Sequence, residues 1–144
     1  MKEMLENALN FGLYECPPES LTQFASPEHG LDIQPQSQAS LPADSRFIGL
    51  ARCVTDYTTF LYLTDVWVDP KQQGAGLGRW LISTVQEVIA SMPYLRRSML
   101  FTGDWERSVP FYEELMGMQV METKPGEGLA IMEMKGPGHP TFWR

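Results

Sequence analysis

The sequence predicts a single α/β domain, of the α+β kind, in which helices flank a mixed, mostly antiparallel sheet. Three observations carry this. The elements read strand, loop, strand, strand, helix, strand, helix, strand, strand. Strands therefore follow one another directly at both ends, as hairpins do. Two segments of helical period interrupt them in the second half. The chain has 144 residues, of which 43% are hydrophobic, enough for one core without covalent staples.

Glu3 to Leu9 reads as a short helix, with Met4, Leu5 and Ala8 on one side, and Asn10 to Glu15 as a strand. Between Cys16 and Arg46 the composition changes. Pro17, Pro18, Pro27, Pro35 and Pro42 fall there among Ser, Gln, Asp and Glu. Too few large apolar side chains are present to offset the entropy of ordering such a stretch. It is expected to be a long surface loop or a partly disordered insertion at about 16–46. Arg46 to Thr55 is rich in apolar residues and strand-like, Asp56-Tyr57-Thr58 is a turn, and Thr59 to Val68 is a second strand dense in aromatic and β-branched residues. Asp69-Pro70 stops it.

Leu77, Leu81, Val85, Val88 and Met92 share one helical face, so a helix is expected over Leu77 to Met92, ended by Pro93. Arg97 to Thr102 is a short buried-type strand. Glu106 to Met116 is a second helix, with Pro110 tolerated in its first turn and Gly117 placed as a C′ glycine. Gln119 to Thr123 and Leu129 to Met134 form a hairpin around Pro125-Gly126-Glu127-Gly128.

Eleven basic residues stand against 18 acidic ones, for a net charge of -7 and a pI near 4.7. No basic footprint for nucleic acid or an anionic membrane follows from that balance. Cys16 and Cys53 are too few for a disulfide scaffold, and His29 and His139 lack a metal-ligand pattern, so no metal is expected. Neither a secretory leader nor an apolar run of about 18 residues is visible. The expectation is a cytoplasmic protein.

The sharpest local feature is Gln73-Gly74-Ala75-Gly76-Leu77-Gly78-Arg79, which follows a strand by a short turn and opens a helix. Backbone N–H groups at a helix start lack intrahelical partners, and the helix dipole adds partial positive charge. Glycines remove the Cβ atoms that would block close approach. The combination suits an anion, most naturally a pyrophosphate. A Walker loop would need Lys-Ser/Thr after the last glycine, where Arg79 and Trp80 stand. A dinucleotide fingerprint would need its third glycine one residue later. A glycine-rich helix start without a ligand is the remaining alternative.

Gln73-x-x-Gly76-x-Gly78, after Val66-Trp67-Val68-Asp69-Pro70, resembles the Q/R-x-x-G-x-G/A signature of the GNAT acyltransferase superfamily. Phe111-Tyr112-Glu113-Glu114-Leu115-Met116-Gly117-Met118 is similar to that family's F-Y-E-K-L-G-F segment. The matching region runs from about Arg46 to Met134. The resemblance implies a GNAT-like fold and an N-acyltransferase that uses acetyl-CoA, with direct attack of an amine on the thioester. Val66, Trp67 and Val68 would face the pantetheine arm, and Gln73, Gly74, Ala75, Gly76, Leu77 and Gly78 would hold the pyrophosphate. Tyr112 would protonate the departing thiolate. Asp65 is the candidate base, with Thr64 and Tyr62 as neighbours; its other reading is a carboxylate that caps a turn or pairs with a nearby arginine. Cys53 reads as a strand residue rather than a nucleophile, and Arg79 as a phosphate contact or a solvated helix arginine.

Trp105 stands where that family often has Asn, seven residues before the tyrosine, and Ser108 where it has a small residue, four before it. The family's first strand and part of its following helices have little room, so the domain is expected to be N-terminally shortened, with an open acceptor side or a homodimer completing the edge. An acyl-CoA-binding protein of the same fold without transferase activity, acting as a sensor or partner subunit, is the alternative function. A generic phosphate-binding module is a third. The partners implied are acetyl-CoA and an amine acceptor, with no nucleic acid and no membrane.

Overall fold

A computed structural model describes residues 5–18, 41–121, 124, 126–128 and 130–138 of the chain. They form strands β1 (Leu9–Glu15), β2 (Arg46–Thr55) and β3 (Phe60–Val68), helix α1 (Leu77–Ala90), strand β4 (Arg97–Thr102), helix α2 (Ser108–Met116), and strands β5 (Gln119–Val120) and β6 (Ala130–Lys135). The six strands make one sheet in the order β1-β2-β3-β4-β6-β5. Every neighbouring pair is antiparallel except β3–β4, which the α1 crossover makes parallel. The mixed, mostly antiparallel sheet flanked by helices is therefore present.

The alternation of side chains along the strands decides which face is covered. Ala51, Cys53, Leu61, Leu63, Leu100 and Met132 are buried on one face. They form a single cluster with Leu81, Ile82, Val85 and Ile89 of α1 and Val109, Tyr112 and Met116 of α2. Burying a large aliphatic side chain is worth about 2 kcal/mol, so this one-sided layer supplies most of the driving force. The other face carries Tyr14, Phe47, Val54, Phe60, Trp67 and Phe101, all substantially exposed. Tyr14 meets Phe47 edge-on at 5.4 Å, and Phe47 stacks on Trp67 at 6.1 Å.

Asp56 locks the β2–β3 turn. Its carboxylate accepts hydrogen bonds from the backbone N–H groups of Thr58, Thr59 and Phe60 and from the Thr59 hydroxyl. These bonds hold its carboxyl well below the usual carboxylate range. The ends of the Pro-rich stretch return to one place: Cys16 Sγ lies 3.5 Å from Ser45 Oγ, and Arg46 Nη2 lies 2.7 Å from Glu15 Oε2. Residues 19–40 of that stretch lie outside the described residues.

Element ends differ from expectation for local reasons. Helix α1 ends at Ala90 rather than Met92, because the Ser91 hydroxyl donates back to the Val88 carbonyl at 2.7 Å and closes the last turn. Met92 is buried in the core just beyond the helix. Helix α2 starts at Ser108 rather than Glu106, because Asp104 Oδ1 accepts from the Arg107 N–H at 2.9 Å and holds the preceding turn. Gly117 takes the left-handed C′ position as expected, with φ 62°. At the N-terminus Leu5 and Glu6 are helical, but Leu9 already belongs to β1, and residues 1–4 lie outside the described set. The hairpin expected over 119–134 pairs Gln119 with Glu133 and Val120 with Met132; residues 122, 123, 125 and 129 are not among those described.

Candidate active site

The parallel β3–β4 ladder is short. It pairs Phe60 with Arg97, Leu61 with Ser98 and Tyr62 with Met99, then stops. Strand β3 runs on to Val68 and β4 to Thr102. Beyond Tyr62 the two strands diverge, and the β4-facing backbone of Leu63 to Val68 has no strand partner among the described residues. An extended ligand could use these peptide groups, since strand backbone needs hydrogen-bond partners.

A β-bulge accompanies the divergence. Arg52 of β2 pairs with Thr64, whereas Leu50 pairs with Trp67, so β3 holds one extra residue opposite Ala51. Asp65 sits in this bulge with φ 48°. The left-handed region costs an ordinary residue about 1–2 kcal/mol, and Asp tolerates it better than most. The Asp65 carboxylate points back across the ladder. Its Oδ2 accepts from Arg52 Nε at 2.6 Å, and its Oδ1 lies 3.4 Å from the Thr64 hydroxyl. The Arg52 side chain is largely buried.

The divergence opens a cleft of about 210 Å³ lined by Leu63, Thr64, Asp65, Val66, Leu100, Phe101, Thr102, Ser108 and Tyr112. It passes through the sheet. Tyr112 and Ser108 of α2 line it on the face covered by α1 and α2; Thr64 and Phe101 line it on the opposite face, where the Phe101 ring lies 5.3 Å from Tyr62. Burial pushes the Tyr112 phenol up to about 12, because the anion is poorly solvated there. At neutral pH Tyr112 is a hydrogen-bond donor.

Gln73 to Gly78 lies between the end of β3 and α1. Gly74 and Gly76 have φ 89° and 79°, which glycine adopts without the clash a Cβ would bring. A Cβ built on Gly74, Gly76 or Gly78 would meet no heavy atom within 4 Å. Among the described residues, none of the three is thus required by close packing. Gly76 is the N-cap of α1; among the described residues no side chain caps that helix, and no carboxylate sits in its first turn. The first N–H groups of α1 and the positive end of its dipole are left for a ligand.

Of the residues expected at the site, Asp65, Val66 and Tyr112 line one cleft. Trp67 turns its ring to the face opposite α1 and α2, against Phe47. Val68 is buried, and its carbonyl accepts from Gln73 Nε2 at 3.0 Å. The Gln73 side chain therefore ties the loop to the strand end. Arg79 pairs bidentately with Glu114 of α2, at 3.0 and 3.1 Å, which places its guanidinium on α2 rather than toward the loop. Cys53 is fully buried and its thiol is pushed up to about 12 by burial, so it is an inert core residue. Trp105 donates from Nε1 to the Gly128 carbonyl at 2.8 Å and joins the start of α2 to the β5–β6 connection.

Sequence reasoning missed Arg52 and the lining residues Phe101 and Thr102. The turn read as Asp56-Tyr57-Thr58 sets Thr55 opposite Thr59 and Arg52 opposite Tyr62, whereas Thr55 pairs with Leu61 and Arg52 with Thr64. Among the described residues, no group of three or more His, Cys, Asp or Glu side chains could hold a metal, and no helix is long and apolar enough to cross a membrane.

Residues 3–118 match the family described as Acetyltransferase (GNAT) family. The Gibberella zeae protein named Putative acetyltransferase FG08082 is 39% identical over 92 residues, covering 63% of this chain and 50% of that protein. This chain thus spans about half the length of the curated relative it matches. Among solved structures, a spermidine N-acetyltransferase from Vibrio cholerae in complex with CoA and spermine superposes with a TM-score of 0.51 at 19% identity, over 65% of this chain and 60% of that one. That likeness is one of fold. With the family match over most of the sequence, the divergent β3–β4 pair and the open glycine loop before α1, the chain belongs to the GNAT acetyltransferase family.

Proposed function

We propose that this chain transfers an acetyl group from acetyl-CoA to a primary amine of a small molecule or peptide, both reactants being bound together. The observation that carries the reading is the cleft that crosses the sheet where β3 leaves β4, with a donor-side wall bearing Tyr112 and an acceptor-side wall bearing Asp65. The loop Gln73–Gly78 offers N–H groups to the donor's pyrophosphate, and the β3 edge around Val66–Val68, without a strand partner among the described residues, offers peptide groups to its pantetheine arm.

The acceptor nitrogen enters from the face opposite α1 and α2. Its attack forms the C–N bond as the C–S bond breaks, so the nitrogen must lose a proton and the sulfur must gain one. Asp65, which lines the cleft, receives the first, directly or through water. Tyr112 donates a hydrogen bond to the sulfur as negative charge develops there. A phenol at about 12 does not hand its proton fully to a thiolate whose acid titrates near ~8.5; solvent completes the protonation. The free edge of β1 in the described sheet also leaves room for a second copy of the chain.

The test is release of free CoA thiol from acetyl-CoA across an amine panel, comparing parent with Tyr112→Phe. Loss of one donor to the leaving sulfur should lower kcat by about 10²-fold, or about 2.7 kcal/mol. The donor KM should stay near the parent's. Equal kcat in both proteins would remove Tyr112 from the chemistry. A parent that binds acetyl-CoA but acylates nothing in the panel would favour a binding protein of this fold.

A further inference from the structure

We propose that Arg52 is a positioning residue: through its ion pair with Asp65 it holds the β3 bulge that opens the donor cleft. This rests on the acetyl-CoA reading above but assigns a role to a residue outside the loop and the cleft lining. Four observations converge on it. Asp65, one of the two β3 residues opposite Ala51, lies in the left-handed region at φ 48°. The β3–β4 ladder ends with the pair Tyr62 and Met99, before the bulge. The shortest polar contact of the bulge is Arg52 Nε to Asp65 Oδ2 at 2.6 Å. The Arg52 side chain is only 14% exposed, so the pair is shielded on one side from solvent and salt.

The geometry explains why an arginine is needed. A bulge whose first residue lies in the left-handed region usually has glycine there. Glycine would adopt this conformation unaided. An aspartate needs a force to keep it there, and a guanidinium on the neighbouring strand supplies it. Arg52 stands opposite Thr64, one residue before the bulge, so Nε meets the carboxylate of the next residue along. The pair thereby fixes where β3 turns away from β4, and with it the donor-facing backbone of Val66 to Val68. The second carboxylate oxygen, Oδ1, lies 3.4 Å from the Thr64 hydroxyl, and Asp65 lines the cleft.

The clamp makes an inverted prediction for substitutions at Asp65. Glycine keeps the bulge without the ion pair; alanine loses the ion pair and resists the left-handed conformation. Acetyl-CoA binding is to be measured by calorimetry on parent, Asp65→Gly, Asp65→Ala, Arg52→Met and Arg52→Lys, with circular dichroism and a melting curve for each. Asp65→Gly should bind within about 3-fold of the parent. Asp65→Ala and Arg52→Met should weaken binding about 10-fold or more while keeping the parent's circular dichroism spectrum. Arg52→Lys, which restores a charge but not the Nε contact, should fall between. A variant that merely destabilised the fold would follow the melting temperature instead, with glycine worst.

Asp65→Ala and Arg52→Met binding as tightly as the parent would overturn the clamp while leaving the donor reading intact. Asp65→Gly binding as weakly as Asp65→Ala would overturn it too, since the carboxylate would then act on the donor itself. A folded parent that does not bind acetyl-CoA would overturn the donor reading and the clamp with it.

Discussion

Gly76 and Gly78 lie two residues apart in one loop, yet replacing them should have opposite effects on stability. Gly76 has φ 79° and ψ 3°. A Cβ there would touch nothing within 4 Å, so Gly76→Ala costs only the backbone penalty of the left-handed region, about 1–2 kcal/mol. Gly78 is in the first turn of α1, has no positive φ, and is equally open. Gly78→Ala should be neutral or stabilise by up to about 1 kcal/mol, the helix preference of alanine over glycine. For a domain of this size 1 kcal/mol moves the Tm by roughly 3–4 °C. The unliganded protein should then melt roughly 3–8 °C lower with Gly76→Ala, and unchanged or up to ~4 °C higher with Gly78→Ala. Gly78→Val adds the test of function. The side chain has space, so the fold should hold, but it fills the approach to the helix N-terminus. The assay is a melting curve with and without acetyl-CoA. At 100 times its Kd a ligand of the folded state adds about 2.7 kcal/mol, a rise of roughly 8–11 °C for the parent. Gly78→Val should lose most of that rise. A Gly78→Val protein that melts like the parent and keeps the full rise would refute the assignment of this loop to the donor.

Two further predictions concern pH. Burial pushes the Cys53 thiol from 9.0 and the Tyr112 phenol from 10.0 up to about 12 in the folded chain; the unfolded chain releases these protons earlier, so their contribution is whole below about pH 9 and is lost as pH rises toward 12, at about 1.4 kcal/mol per pH unit for each group. Denaturant unfolding from pH 8 to 11 should show that decline, and a Cys53→Ala, Tyr112→Phe double variant should show a shallower one. Asp56 has the opposite sign: its carboxyl is held low in the fold by the turn's hydrogen bonds, so its contribution is present above the ordinary value near 3.8 and is lost as pH falls below it. Asp56→Ala should melt below the parent at pH 7, with the gap narrowing under acid; an unchanged gap at pH 3 would contradict the turn's role.

Much of this fold follows from pattern. The two apolar faces of β2 and β3 and the 3.6-residue period of α1 are written in adjacent residues, and Gly117 marks its own helix end. The glycine loop was legible because its chemistry is local: consecutive backbone N–H groups and missing Cβ atoms. What escaped was long-range. Nothing in the local sequence says that β3 carries an extra residue at Asp65, because a bulge is a property of two strands in register. Arg52 was therefore invisible as a partner, and Asp65 stood between two readings, base or paired carboxylate. The structure shows the pairing and keeps Asp65 on the cleft, so both can hold at once. Gln73 and Arg79 illustrate the same limit. Each is a plausible phosphate ligand by position, yet one bonds the Val68 carbonyl and the other bonds Glu114, contacts that depend on how strand end and helices meet.

The central claim is that the divergence of β3 from β4 and the loop before α1 form one acyl-CoA site. Titration of the folded chain with acetyl-CoA by isothermal calorimetry tests it most directly, with ATP at the same concentrations as the comparison. The account predicts saturable one-to-one binding of acetyl-CoA, with a Kd in the range of about 1 μM to 1 mM typical of enzyme substrates, and markedly weaker binding of ATP, which has phosphates for the loop but no arm for the strand edge. Equal affinity for the two would reduce the site to a phosphate loop, and no saturable heat from acetyl-CoA at millimolar concentration would contradict the account outright.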